Sequence, residues 1–277
     1  MKHMRTLFAL QVLFASGPRS GYPEAMPTRR ELTRTATIAQ IKSAALEQIE
    51  HEGAPALSIR GVARAIGMSP AGLYRYYDGR DALLTDLLTD AYRDLAHAVG
   101  QAAGLPSEGP AGSPGEHVPV VEDPIAAMLA AIEAYRGWAV ANRSRFLLIF
   151  GTPVPGYSAP EDGPTVAANR QMGQVFFTLA AIGWATGRIA APPRISGSRD
   201  LTPGEADVHA QLDALAPGFP AELIPQMLAG WALWHGLVTL EVTGQLDWIY
   251  PDSPRFYSER MSRWLADFTH GANGRLG

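Results

Sequence analysis

The residues whose types and spacing could do chemistry in this chain lie between Ser58 and Arg80, in SIRGVARAIGMSPAGLYRYYDGR. Pro70, Ala71 and Gly72 are small, so the backbone that carries them can come close to another surface. Tyr74, Arg75, Tyr76 and Arg80 follow with hydroxyl and guanidinium donors suited to phosphate oxygens and base edges. Arg60 adds a further cation, and Ser58 and Ser69 each stand where a hydroxyl can cap a helix and still meet a phosphate. This is the chemistry of recognition. The chain holds no Gly-rich phosphate loop, no GxSxG, no HExxH and no clustered acid–base set, so nothing points to an enzyme. It also has no cysteine, which removes thiolate nucleophiles, thiolate metal sites and disulfides together.

Two short helices must position these groups. Ser58 caps the first, Val62 and Ile66 share its inner face, and Gly67 supplies the residue tolerant of positive φ that ends it. Ser69 caps the second, Pro70 takes its first position, and it is expected to run through Leu73 to Tyr77. Ala63 is small where the two cross, which fits a DNA-reading helix-turn-helix. Upstream, residues 28 to 36 read as a basic polar arm. Ile38, Ile41, Ala45 and Ile49 then recur at helical spacing until Gly53, placing Arg34 and Thr37 towards a phosphate backbone. Residues 28–80 thus form a three-helix head. They carry eight Lys and Arg against five acids, a balance of +3 that leaves −7 for the rest of a chain whose formal charge is −4. A basic module on an acidic body is the expected split when one part meets nucleic acid.

The remainder, residues 81–277, reads as a helical body. An apolar stripe from Leu84 to Ala98 extends a helix from Arg80 to about Ala103, followed by a Gly/Pro-rich loop over 104–122. Helices are expected from Pro124 to about Asn142, Ser144 to Phe150, Thr165 to Arg188, Pro203 to Ala216, Pro220 to about Leu246 and Ser253 to Thr269. No β period occurs, so the fold class is all-α. The chain is 47% hydrophobic, enough for a sizeable core. Trp138, Phe146, Phe150, Phe177, Trp184, Trp231, Trp234 and His235 are the candidate lining of an apolar effector pocket. Packing within the core is the competing role for each aromatic, and a hydrogen-bonded core position the competing role for His235. His209 and Asp213 lack a third metal ligand, so no metal or cofactor is expected. Residues 1–27, with Lys2 and Arg5 before an apolar run to Ala15, look superficially like a secretory signal, but the run is too short to span a bilayer. The reading preferred is an extension or an over-called start ahead of Met26; a secreted or membrane-associated helical ligand-binding protein is the alternative.

The segment SPAGLYRYYDGRDALL resembles the recognition helix and following helix start of the tetracycline-repressor-like (TetR) transcriptional regulators. Leu73, Tyr74 and the Leu83–Leu84 pair match their pattern, whereas Tyr76 stands for the usual His, Tyr77 for Phe and Arg80 for Lys. The likeness covers roughly residues 36 to 90. WALWHGLVTLEVTGQL and FLLIFGTPVPGYSAP resemble one C-terminal domain type of that family, marked by Trp-His-Gly. The resemblance implies a cytoplasmic repressor that binds double-stranded operator DNA, forms a homodimer through its last two helices, and leaves the operator when a small apolar effector binds the body.

Overall fold

The structure is a computed structural model that describes residues 28–105, 121–161, 163–190, 219–220 and 223–273. The expected extension over 1–27, the helix over 203–216 with His209 and Asp213, and most of the loop over 104–122 lie outside the described residues. The helices are α1 (Arg29–Glu52), α2 (Ile59–Ala65), α3 (Pro70–Leu73), α4 (Arg80–Ala102), α5 (Pro124–Ala141), α6 (Arg143–Phe150), α7 (Pro164–Ala185), α8 (Ile224–Val242) and α9 (Ser253–Asn273). A single 3₁₀ turn at Ala54–Ala56 joins α1 to α2. The fold is all-α, with no strand among the described residues.

The structure corrects the sequence reading at several helix starts and ends. The basic arm is not irregular, because α1 already begins at Arg29. Thr28 caps it: its hydroxyl accepts the Glu31 N–H at 3.3 Å while its own N–H donates to Glu31 Oε2 at 2.7 Å. That reciprocal pair, Thr-x-x-Glu, satisfies free N–H groups of the first turn and starts the helix well before the apolar stripe does. The recognition helix is shorter than expected. After Leu73 the chain tightens into i→i−3 bonds, Arg75 N to Gly72 O at 3.3 Å and Tyr76 N to Leu73 O at 2.8 Å, so residues 74–76 form a turn. Finally, α8 begins at Ile224 rather than Pro220 and ends at Val242.

The chain divides into two compact units. Of the described residues, the head unit takes 28–94 and 142–169, and the body unit takes 95–141 and 170–273. The head core is a continuous cluster of Ile41, Ala45 and Ile49 from α1, Val62 and Ala63 from α2, Leu73 from α3 and Leu83, Leu84 and Leu87 from α4, with Leu148 of α6 and Val154 joining it. In the body, α5, α8 and α9 pack together through large side chains. Tyr257 is buried and donates to Ile132 O at 3.1 Å. Arg136 grips Glu241 with two nitrogens, Nε to Oε2 at 2.7 Å and a second bond to Oε1, which also accepts from Ser253 Oγ at 2.8 Å. A half-buried pair satisfied on both sides in this way fixes register between helices. Trp234 lies between Phe176 and Trp264, with ring centroids 5.2 and 5.5 Å away.

Candidate nucleic-acid interface

The head presents its recognition turn on a rigid support. Gly67 adopts φ +67° between α2 and α3, a conformation that other residues reach only at a cost. Ser69 Oγ accepts the Gly72 N–H at 3.1 Å and Ser58 Oγ accepts the Gly61 N–H at 3.1 Å, so both hydroxyls cap their helices as expected. Gln48, which the sequence reading did not single out, braces the approach to α2: its Nε2 donates to Ala56 O at 3.3 Å and its Oε1 accepts the Ser58 N–H at 3.3 Å. A Cβ on Gly61 would lie 2.8 Å from Ser58 Oγ and 2.9 Å from Gln48 Nε2, so glycine here permits the close crossing of α1 and α2.

A second brace lies beneath the turn. Lys42 of α1 reaches Asp86 and Asp90 of α4 at 2.9 and 2.6 Å, and the Tyr77 hydroxyl donates to Asp86 at 2.6 Å. Burial pulls the Lys42 ammonium down, but the bonds to Asp90 and Asp86 outweigh it and hold the group above its ordinary value. Burial and the Asp86 bond together push the Tyr77 hydroxyl up, so it stays a donor at any physiological pH.

On this support the predicted contacts divide. Arg60, Ser69, Pro70, Ala71, Tyr74 and Arg75 are exposed, and Tyr74 is 52% exposed although its neighbour Leu73 is fully buried. Tyr76 is half-buried, with the Arg34 guanidinium 5.1 Å from its ring centre. Gly72 is also half-buried, and a Cβ there would meet Met68 at 3.0 Å. Arg80 is turned inward: one terminal nitrogen donates to Ala54 O at 3.3 Å and Pro55 O at 3.2 Å, which ties the start of α4 to the 3₁₀ turn. Thr37 gives its hydroxyl proton to Thr33 O at 2.9 Å, leaving it an acceptor. Two residues outside the sequence reading, Arg29 and Arg30, join Thr33, Arg34, Arg75 and Tyr76 around one cleft of about 670 Å³.

The candidate effector residues are distributed over both units. Phe146 and Phe150 belong to the head unit, where their rings lie 5.1 Å apart and Tyr92 meets Phe150 edge-on at 5.9 Å. Trp138, Phe177, Trp184, Trp231, Trp234 and His235 belong to the body unit. Trp231 is 43% exposed and stacks on His235 at 5.2 Å, while Tyr135 Oη and His235 Nδ1 share a hydrogen bond of 2.8 Å. Burial lowers the His235 pKa, favouring the neutral ring. Phe177 packs edge-on against Phe219 at 5.2 Å, and Trp184 is half-buried. Trp234 is 2% exposed and its indole N–H has no acceptor among the described residues. No group of three metal-ligating side chains occurs among the described residues, and no described helix is long and apolar enough to cross a membrane.

A helix-turn-helix head presenting tyrosine and arginine, in one chain with a helical body, defines a DNA-binding regulator. The chain belongs to the TetR family of bacterial transcriptional regulators. The family model described as "Bacterial regulatory proteins, tetR family" matches residues 41–87, and that for a "Tetracyclin repressor-like, C-terminal domain" matches 128–263. The HTH-type transcriptional regulators Rv1816 of Mycobacterium tuberculosis and Mb1846 of Mycobacterium bovis are each 36% identical over 219 residues, covering 78% of this chain and 85% of theirs. The solved structure of a candidate regulatory protein, SCO4313, shares 31% identity over 86% of this chain and all of its own, with a TM-score of 0.65. The TetR family regulator PfmR from Thermus thermophilus shares the fold at 17% identity, covering 82% of this chain and 97% of its own, with a TM-score of 0.51.

Proposed function

We propose that this regulator is a cytoplasmic repressor that binds a two-fold symmetric operator as a homodimer and is released by a small, largely apolar effector. It acts by binding, with no reaction of its own. The observation that carries the reading is the recognition turn, where Tyr74 and Arg75 stand exposed directly after a fully buried Leu73. We assign base and phosphate contacts to Arg34, Ser58, Arg60, Ser69, Pro70, Ala71, Gly72, Tyr74, Arg75 and Tyr76. Arg80 and Thr37 act on the DNA through the backbone they hold. One recognition turn makes few contacts, so operator affinity calls for two, set about one helical turn of DNA (~34 Å) apart.

Dimerisation through α8 and α9 is supported by apolar side chains exposed along α8, Leu228 at 50%, Trp231 at 43% and Leu240 at 37%. An effector in the body is supported by Trp234, whose buried N–H could meet an acceptor on an otherwise apolar molecule held by Phe176 and Trp264. Because α4 gives residues to both units, an effector that tilts it would move the recognition turn. A coupling of about 1–3 kcal/mol changes operator affinity roughly 5- to 150-fold, enough to switch a promoter. The test is selection of bound sites from a random duplex pool. Enrichment of an inverted repeat with half-site centres one turn apart is expected; an enriched site without symmetry would contradict the dimer, and no enrichment would contradict sequence-specific binding.

A further inference from the structure

Sulfur redox chemistry in this chain falls to methionine alone, because the sequence has eight methionines and no cysteine. Five of them lie among the described residues. Met128, Met172, Met227 and Met261 are buried, whereas Met68 is only half-buried. Met68 stands between Gly67, held at φ +67°, and Ser69, the N-cap of α3, and its own N–H donates to Ala63 O at 2.8 Å. Its side chain packs on the edge of the head core and folds over Gly72, where a Cβ would lie 3.0 Å from Met68 Cγ and 3.5 Å from Sδ. The same Cβ would lie 3.2 Å from Ser69 Oγ, the hydroxyl that accepts the Gly72 N–H at 3.1 Å. The thioether therefore lies against the first turn of α3, beside the bond that caps it.

In a chain without thiolates, the sulfur that an oxidant meets first is the most accessible thioether. We propose that Met68 is an oxidation site, at which conversion to the sulfoxide by a hydroperoxide releases the head from its operator. A lone pair of the sulfur attacks one peroxide oxygen, and an S–O bond forms as the O–O bond breaks. The transferred hydroxyl passes its proton to the departing hydroxide, which leaves as water. Sulfur is oxidised, the peroxide is reduced, and a sulfoxide reductase drawing on thiols reverses the change. The product puts a polar oxygen where the thioether was apolar. That oxygen either stays against the turn without a partner or takes the Gly72 N–H from Ser69 Oγ, and both displace the backbone that carries Tyr74 and Arg75. The inference rests on the DNA-binding reading above and adds to it a covalent signal that acts inside the head, separate from any effector in the body.

The test uses the full chain and its Met68→Leu variant, a volume-conserving change that removes the sulfur. Each is treated with graded amounts of hydrogen peroxide, mapped by peptide mass spectrometry, and titrated with the duplex enriched by site selection and with an unrelated duplex of equal length. In the wild type Met68 should gain oxygen ahead of Met128, Met172, Met227 and Met261. Affinity for the enriched duplex should fall roughly tenfold in step with that gain, the cost of one unpartnered polar group at the turn. Methionine sulfoxide reductase should restore it, and Met68→Leu should keep its affinity through the same treatment. Full conversion of Met68 with affinity unchanged would overturn the proposal, as would oxidation of the buried methionines first or an equal loss in peroxide-treated Met68→Leu. The reductase arm needs no variant: affinity that stays low once Met68 is again a thioether would overturn it too. If the untreated wild type failed to tell the two duplexes apart, the DNA-reading assignment would fall instead, a failure visible before any peroxide is added.

Discussion

Tyr74 is the residue on which the base-reading claim bears most directly. Its side chain stands 52% exposed, so shortening it leaves the head core untouched. Tyr74→Ala should therefore weaken operator binding by about 1–3 kcal/mol, as loss of a base-edge contact does, with the thermal midpoint unchanged. Titration of the variant beside the wild type checks this, and equal affinities would remove Tyr74 from the contact set. His235 makes a different kind of prediction. Burial holds its pKa below the usual imidazole value, so the folded chain keeps the ring neutral. The unfolded chain, titrating near ~6.5, takes up the proton first as pH falls. The stabilisation from His235 is thus complete above about pH 6.5 and is lost as pH falls through the lower folded value. Thermal unfolding from about pH 7.5 to 5.5 should show a steeper loss of Tm in the wild type than in His235→Gln; parallel curves would contradict it.

At the scale of elements, two close approaches carry the argument. A Cβ on Gly230 of α8 would lie 2.2 Å from Trp264 Cζ2 of α9, so Gly230→Ala forces the helices apart or displaces a large ring packed between them. A cost of about 1–3 kcal/mol is expected, read as a lower urea midpoint with an unchanged slope. In the head, Tyr77→Phe keeps the ring in the core and removes only the bond to Asp86, which Lys42 still neutralises. The expected loss is about 1 kcal/mol. The elements themselves were legible in the sequence where hydrophobic period and capping agree, as at Ser58, Gly67 and Ser69–Pro70. The early start of α1 was also written there, in Thr28 and Glu31, but its residues are polar and helical period says nothing about a polar turn. The end of α3 was not legible, because Tyr74 to Tyr76 suit a helix as well as the turn they form. The same limit applies to Arg80, Lys42 and Gln48. Their partners lie on other elements, at Ala54, Asp86 and Ser58, and sequence spacing does not reveal contacts across a fold.

The molecule as a whole separates two tasks. Its head gathers net positive charge while the remainder of the chain is acidic, which suits a protein whose one part meets phosphates and whose other part must not. The body holds buried aromatic rings and a buried indole N–H, the features an effector could use. Helical spacing cannot tell a ring that packs the head, such as Phe146, from one that packs the body, such as Trp234. The central claim, that this chain reads DNA by sequence through the recognition turn, is tested most directly by titrating the purified protein against the DNA flanking its own coding sequence and against an unrelated fragment, each at two salt concentrations. Tight binding to the flanking fragment alone, weakening steeply with salt, is the result predicted. Equally weak binding to both fragments, or binding indifferent to salt, would contradict it.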